Sequence, residues 1–417
     1  MRNLSHAVAR PLMRWWVASV NRSIDSVPRP TDAPQVHAAG RDSDRVLIFG
    51  AGAAVGWGVA THNLALPGAL ARALSASTGR GADVDVIVDR GMSVAQSVSV
   101  LRTLNLMRYD AIIVVLGVND ALRLTPLSKW RKELSRLLAV ASELSLHDTK
   151  IVVTGIQPIR SIPTFDRSLG TLAGRHALAL NRETAALCAS SAEKHSAQAH
   201  FVPLALPRRS RTDDRHRAPS EYARWGKLLA ASLSPLLSTQ HHARGSRRND
   251  GIVAVTEVCR QRAVDALVLR DDWSRSRLTD ILTVAQRAFR AESATITLLD
   301  RDRLRYLAQV GTESYEISRT GSLCDAAIRG TGAMIVRDAH ADGRFSTTVA
   351  ERFGVRFYAG FPIELHAGER IGTLCVVDSR PRQPDEHIDE VLLREFALMA
   401  QRELLRNSGV AAPVLSG

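Results

Sequence analysis

Short apolar runs alternate with helix-like stretches from about residue 45 to residue 237. The runs are β-branched and nearly continuous, as is typical of strands buried on both faces of a sheet. They are Val46–Phe49, Val84–Val88, Ala111–Leu116, Ile151–Thr154 and His200–Leu204. Between them, Pro67–Leu74 and Trp130–Leu144 carry apolar residues at helical spacing. The alternation predicts an α/β domain with a doubly wound parallel sheet, whose functional residues follow the carboxyl ends of the strands.

The amino-acid composition limits which classes of protein are possible. The 417 residues are 45% hydrophobic and 23% charged, which favours two or three folded domains over a disordered chain. The net charge of +13 comes from scattered arginines, so nucleic-acid binding is disfavoured. Four widely spaced cysteines form no CxxC pair, which disfavours a disulfide framework or zinc site and predicts a cytoplasmic protein. No apolar stretch is long enough to cross a bilayer, so no integral membrane segment is expected.

The segment before the first strand, residues 1–44, is expected to be a helix followed by a loop. Arg10 and Arg14 interrupt the apolar residues near Trp15, so a secretory signal is disfavoured. The helix is expected to pack on its own domain, with a membrane-surface role as the alternative. Residues 28–44 are rich in Pro, Ala, Gly and Asp and are expected to be a loop.

A glycine-rich turn, Phe49 to Gly58, follows the first strand. Glycines at this place can approach a pyrophosphate at a helix N-terminus, which would indicate a dinucleotide site. The next helical pattern begins only near Pro67, and no acidic residue lies at the required spacing. The alternative is that the glycines only make a tight exit from the strand.

Three further blocks follow other strands or precede the last helix. They are Asp89-Arg90-Gly91-Met92-Ser93, Gly117-Val118-Asn119-Asp120 and Asp213-Asp214-Arg215-His216. In this order they resemble the blocks of the SGNH (GDSL-type) hydrolases, which are esterases and acylhydrolases on a flavodoxin-like three-layer sheet. The resemblance covers residues 45–237.

The resemblance implies a role for each matched residue. His216 would act as the general base, Asp213 would orient it, and Gly91 and Asn119 would donate to the oxyanion. The family's Gly-Asp-Ser reads Gly50-Ala51-Gly52 here, so glycine occupies the position of the nucleophile. We therefore expect a catalytically degenerate domain, with displaced hydrolysis through a residue such as Ser93 as the alternative.

The second half begins after a polar stretch, residues 238–251, that is expected to be a linker. A long helical segment, from about residue 252 to residue 291, is followed by patterns for antiparallel strands. Five later segments agree in sequence and order with a GAF domain. They are Ser322–Ile328, Ile335–Ala339, Asp342–Phe345, Arg356–Ile363 and Gly372–Asp378. We expect this α+β domain over residues 252–408, with a tail at 409–417.

The resemblance to GAF domains implies a six-stranded antiparallel sheet and a pocket for a cyclic nucleotide, a tetrapyrrole or a small metabolite. The expected pocket residues are Ser322, Cys324, Asp325, Asp338, Phe357 and Tyr358. Phe357 and Tyr358 alternate along a strand, so at least one is expected to face the core. Cys324 and Cys375 are interpreted as small buried hydrophobes rather than reactive thiols. A bilin is disfavoured because no histidine accompanies Cys324, and no cofactor or metal is identified.

The last helical pattern, from about Asp385 to Leu405, has an apolar stripe wider than one sheet face needs. It predicts a homodimer through the helices that flank the GAF domain, or else a helix packed on its own sheet. The predicted function is small-molecule sensing. The alternatives are an ester hydrolase regulated by the GAF domain and, on the glycine turn alone, a dinucleotide-dependent oxidoreductase.

Overall fold

The structure is a computed structural model, which describes most of the chain. The described residues are 10–13, 15–17, 19, 27–32, 34–40, 42–162, 165, 168–193, 199–204, 219–244, 257–267, 272–312, 317–330, 332–345, 354–365 and 369–407. The fold divides into two compact units, with the division between Asp250 and Gly251.

The first unit contains a six-stranded, mostly parallel sheet. Its strands are β1 (Gln35–Ala38), β2 (Asp44–Gly50), β3 (Ala82–Val88), β4 (Ala111–Val115), β5 (Lys150–Thr154) and β6 (Ala199–Val202), in the order β1-β3-β2-β4-β5-β6. β2 to β6 pair in parallel, which confirms the predicted doubly wound sheet. The expectation that residues 28–44 form only a loop is wrong, because β1 adds to the edge of the sheet antiparallel to β3.

Helices cover both faces of this sheet. They are α1 (Leu66–Thr78), α2 (Val94–Leu101), α3 (Val118–Leu122), α4 (Leu127–Leu144), α5 (Ser168–Glu193) and α6 (Pro219–Arg244). One buried cluster lies under α2, α4 and α5, and a second lies under α1 and α6, so the unit has three layers. α6 continues to Arg244, so the predicted linker begins later than residue 238.

The described residues between 10 and 19 are helical. Met13 and Trp16 are buried in the first cluster, and the Trp16 ring lies 5.5 Å from that of Phe165. Trp15 is 70% exposed. The helix therefore packs on its own domain through one face, as the first of the two interpretations expects.

The second unit is built on a six-stranded antiparallel sheet. Its strands are β7 (Ser293–Asp300), β8 (Arg303–Val310), β9 (Ile317–Ser318), β10 (Met334–Val336), β11 (Phe357–Glu364) and β12 (Arg370–Asp378), in the order β10-β11-β12-β7-β8-β9. The helices are α7 (Glu257–Ala266), α8 (Asp272–Ala288), α9 (Leu323–Ala327) and α10 (Glu390–Asn407). The long helical segment predicted before β7 is thus two helices.

The apolar stripe of α10 mostly faces its own domain. Leu393, Phe396 and Leu404 lie in the cluster between the sheet and α8, whereas Met399 is 47% exposed. This arrangement accounts for most of the stripe without a second subunit. Among the described residues, no helix combines the length and apolar character needed to cross a bilayer.

Candidate functional site

The glycine-rich turn after β2 makes a tight exit from the sheet. Gly50 has φ 135°, and a Cβ there would lie 2.1 Å from the carbonyl oxygen of Val115 on the neighbouring strand. The Ala51 N–H donates to the same carbonyl at 2.7 Å. A 3-10 turn, Gly52–Val55, follows, and α1 begins only at Leu66. The α-helix that follows does not begin at the glycines, so the geometry favours the tight-exit interpretation over a dinucleotide site.

Gly52 occupies the position that the resemblance assigns to the nucleophile. Its φ of 65° lies in the left-handed region, where a side chain is strained. A Cβ at this position would lie 3.0 Å from Cγ2 of Val118. The local backbone therefore suits glycine and leaves little room for a serine side chain.

The two candidate oxyanion donors, Gly91 and Asn119, are already bonded within the protein. The Gly91 N–H donates to Oδ1 of Asp89 at 2.6 Å. The Asn119 amide nitrogen donates to the carbonyl oxygens of Arg90 and Met92, at 2.8 and 2.9 Å. A primary amide has two hydrogens, and both are used here. The side chain of Asn119 is thus hydrogen-bonded to the backbone of the loop after β3. A substrate oxyanion would have to displace these bonds.

Ser93, the candidate for a displaced nucleophile, caps α2. Its hydroxyl donates to Oε1 of Gln96 at 2.8 Å, and its N–H donates to the same oxygen at 3.2 Å. The neighbouring carboxylate of Asp120 accepts from the Val94 N–H and from the hydroxyl of Thr125, both at 3.0 Å. Burial raises the pKa of Asp120. These side chains order the loops at the sheet edge, and the Ser93 hydroxyl has a structural partner.

Asp213 and His216, the predicted orienting acid and general base, lie outside the described residues. Their roles remain predictions based on the Asp-x-x-His spacing. The structure nevertheless places Gly52, Gly91 and Asn119 at the carboxyl ends of neighbouring strands β2, β3 and β4.

The second unit has a cavity of about 230 Å³ on one side of its sheet. Its walls combine threonine hydroxyls, two thiols, two tyrosines and aliphatic side chains. The lining residues are Glu292, Ser293, Thr295, Thr297, Leu304, Tyr306, Gly311, Thr312, Ile317, Ser322, Leu323, Cys324, Gly354, Val355, Tyr358, Cys375, Val377, Asp378 and Ser379. A concave site with apolar walls and a few polar groups is the usual form of a small-molecule site.

Three of the predicted pocket residues line this cavity. Ser322 caps α9, its hydroxyl accepting from the Asp325 N–H at 3.1 Å. The hydroxyl of Tyr358 donates to the sulfur of Cys324 at 3.7 Å. Burial raises the pKa of Tyr358, so the phenol stays protonated.

The other three predicted pocket residues lie elsewhere. Asp325 pairs with Arg319 and Arg329, each at 2.7 Å. Asp338 bonds to Arg356, which lowers the pKa of the carboxyl group. Phe357 packs in the cluster between sheet and helices, with the guanidinium of Arg382 4.7 Å from its ring centre. These three residues make ion pairs or apolar contacts within the domain and do not line the cavity.

The sequence prediction missed several polar lining residues, above all Cys375, Thr295 and Thr297. Cys375 is opposite Thr295 in the β12–β7 register, and the Thr295 hydroxyl lies 3.1 Å from its sulfur. Thr297 bonds to the hydroxyl of Thr373 at 3.0 Å. Threonines two residues apart in an otherwise apolar strand were the available signal, since alternate residues share one face.

No group of three or more His, Cys, Asp or Glu side chains among the described residues could hold a metal ion.

Comparison with known families agrees with this architecture. The model for the GDSL-like Lipase/Acylhydrolase family matches residues 48–228, and the model for the GAF domain matches residues 275–404. The chain thus joins a GDSL-like lipase/acylhydrolase domain to a C-terminal GAF domain.

Individual proteins resemble parts of the chain. A cyclic di-GMP phosphodiesterase of Pseudomonas aeruginosa, PA2567, is 35% identical over 156 residues, which are 36% of this chain and 27% of that protein. The chain thus spans about a quarter of this relative. The structure of TesA is 18% identical, covering 46% of this chain and 99% of its own, with a TM-score of 0.36. The structure of free methionine-R-sulfoxide reductase from Neisseria meningitidis, solved with its substrate, is 21% identical. The match covers 36% of this chain and 86% of the reductase, with a TM-score of 0.28.

Proposed function

We propose that the protein senses a small molecule through the cavity of its GAF domain, and that its GDSL-like domain is catalytically degenerate. The observation that carries the proposal is the cavity of about 230 Å³ between the sheet and α9. Its polar groups sit on an otherwise aliphatic wall, an arrangement that gives a ligand both apolar contact and orientation.

The dimensions favour a compact metabolite. Sites for drug-sized ligands are about 300–1,000 Å³, and this cavity is smaller. A tetrapyrrole or a dinucleotide would need a larger space. Glu292 and Asp378 also line the cavity, but Asp378 is paired with Arg380 and Arg382 and Glu292 with Ser379. A hydroxyl can donate one hydrogen bond and accept two, so the wall hydroxyls can contact a ligand in addition to the partners they have within the protein.

The proposal of a degenerate hydrolase domain has two independent supports. Gly52 has no hydroxyl to attack an ester, and loss of a triad nucleophile typically lowers turnover by about six orders of magnitude. In addition, the Gly91 N–H and both amide hydrogens of Asn119 have partners within the protein. Each missing oxyanion donor costs about 2.7–4 kcal/mol of transition-state stabilisation.

An ester hydrolase regulated by the GAF domain is the second candidate function. It is favoured by the match to the GDSL-like family and by the Asp213-x-x-His216 spacing. It predicts hydrolysis of p-nitrophenyl acetate that is lost in His216→Ala. Equal background rates in the two proteins would exclude it.

A thermal-shift screen of the full chain tests the sensing proposal. The panel contains cyclic and linear nucleotides, amino acids and small carboxylic acids. A ligand selective for the native state at 100 times its Kd stabilises by about 2.7 kcal/mol. In a domain of this size that raises Tm by about 5–10 °C. Absence of any rise across the panel would count against the cavity as a metabolite site.

Two valine variants can test whether the ligand binds in the cavity. Val377 lines the cavity, whereas Val284 on α8 is 56% exposed in the same domain. Val377→Phe fills part of the cavity with apolar bulk, and Val284→Phe makes the same chemical change away from it. A ligand bound in the cavity loses its thermal shift only in Val377→Phe.

The homodimer is likewise a proposal. Two exposed apolar side chains on the flanking helices support it, namely Val258 and Met399. A dimer would bring two sensing domains together and provide a route for signalling to a partner protein.

A further inference from the structure

Two cysteines from distant parts of the sequence meet inside the GAF domain. Cys324 lies on α9 and Cys375 on β12, and their sulfur atoms are 3.9 Å apart. Both side chains are buried, and both line the cavity. A disulfide bond is about 2.05 Å long, so side-chain rotation has to close a gap of about 1.9 Å.

The cavity gives small molecules a path to these sulfur atoms. Its lining residues include the exposed Glu292, Gly354 and Ser379 as well as the buried thiols. The thiols thus form part of the wall of a cavity that reaches the protein surface. A buried thiol in a closed apolar core has no such access.

The surroundings make the two sulfurs unequal. The Cys324 sulfur accepts a hydrogen bond from the Tyr358 hydroxyl, which lies 3.7 Å away, and lies within hydrogen-bond distance of the Cys375 sulfur. The hydrogen bond between the two sulfurs lowers the pKa of Cys324 and raises that of Cys375. Cys324 is therefore the more acidic thiol of the pair and the better suited of the two to act as the nucleophile.

We propose that Cys324 and Cys375 form a redox-active dithiol, which a small hydroperoxide entering the GAF cavity oxidises to a disulfide. The Cys324 thiolate attacks the terminal peroxide oxygen, the O–O bond breaks, and the released alkoxide or hydroxide takes up a proton to leave as an alcohol or water. Cys324 is then a sulfenic acid. The Cys375 sulfur attacks that sulfur, the S–O bond breaks, and water leaves. The two thiols lose two electrons in total, and the hydroperoxide gains them.

Oxidation would change the cavity that the sensing proposal uses. The disulfide ties α9 to β12 and moves both sulfurs within the lining. The inference shares the cavity with that proposal but does not require a metabolite to bind. Its test therefore uses hydroperoxide alone, so its failure would not affect the thermal-shift result.

Peptide mapping of the full chain gives the direct test. Trypsin leaves Cys324 in residues 320–329 and Cys375 in residues 371–382, because the bond before Pro381 resists cleavage. After brief treatment with hydrogen peroxide and alkylation, we expect these two peptides to be linked, with a loss of two hydrogens. Dithiothreitol should restore both alkylated peptides. Absence of the linked pair, or links only between molecules, would overturn the proposal.

Trapping with dimedone, which labels sulfenic acids, shows which of the two cysteines is the nucleophile. In Cys375→Ser the sulfenic acid on Cys324 cannot condense, so dimedone labelling of residues 320–329 should rise. Cys188 in the other domain is the internal reference, since burial raises its pKa to about 11. We expect Cys324 to be labelled at least about tenfold faster than Cys188. Equal labelling of the two would contradict the proposal. In Cys188→Ser, the link between residues 320–329 and 371–382 should still form. Loss of that link in this variant would also contradict the proposal.

Discussion

Replacing Gly52 by serine supplies the hydroxyl that the nucleophile position lacks and tests whether the rest of the site can use it. The substitution places a side chain at φ 65°, which costs about 1–2 kcal/mol for an L-residue. The new Cβ would also lie 3.0 Å from Cγ2 of Val118, so that side chain has to move. For a domain of this size, we expect Tm to fall by about 2–8 °C.

Two other glycines separate these contributions. Gly79 has φ 70° with no atom within 4 Å of a Cβ, so Gly79→Ser reports the backbone cost alone. Gly174 lies within α5 with open space around it, so Gly174→Ser should be nearly neutral. The difference between Gly52→Ser and Gly79→Ser measures the Val118 contact, and Gly52→Ser should be at least as destabilising. Thermal unfolding monitored by circular dichroism gives all three values.

The esterase activity of Gly52→Ser is a more decisive test than its thermal stability. Because the Gly91 N–H and the Asn119 amide are bonded to Asp89 and to the loop backbone, the new hydroxyl lacks oxyanion donors. We therefore expect Gly52→Ser to hydrolyse p-nitrophenyl acetate at the wild-type background rate. Turnover in Gly52→Ser that disappears when His216→Ala is added would refute this reasoning, because it would show that the donors become available.

Three further predictions follow from the described contacts. Asp120→Ala leaves the Val94 N–H and the Thr125 hydroxyl without their buried acceptor, so urea unfolding should show a loss of about 2–4 kcal/mol. Hydrogen bonds from Arg260, and then from Arg319, lower the pKa of Glu257 to about 2. Its stabilisation is present above its unfolded pKa of about 4.3 and is lost as the pH falls towards 2. Glu257→Gln should therefore lower the free energy of unfolding at pH 7, and its difference from wild type should shrink as the pH falls. A difference that stays the same at all pH values would contradict this prediction. If the terminal helices mediate a homodimer, Met399→Glu should halve the mass in light scattering, whereas a monomeric wild type at micromolar concentration would refute the dimer.

The strands of both sheets were predictable because burial imposes a strong pattern. Apolar runs such as Ala111–Val115 are continuous since both faces of the parallel sheet are covered. β1 was missed because Gln35–Ala38 is short, lies in a proline-rich segment, and is held by pairing with β3, far along the chain. Local composition carries no information on such a distant partner.

The candidate sites were only partly predictable for the same reason. The replacement of serine by Gly52 is visible in the sequence, but the bonds that occupy Gly91 and Asn119 depend on how two loops fold together. Alternation implied that Phe357 and Tyr358 face opposite sides, yet packing decides which side holds the cavity. The 3.9 Å approach of Cys324 to Cys375 joins residues 51 positions apart, which only the tertiary fold specifies.

Calorimetric titration of a screened metabolite into the full chain and into two valine variants tests the sensing account most directly. We predict binding to wild type and to Val284→Phe with the same Kd, and binding at least about tenfold weaker to Val377→Phe, a difference of about 1.4 kcal/mol. Equal affinity in all three proteins would place the ligand outside the cavity and contradict the account.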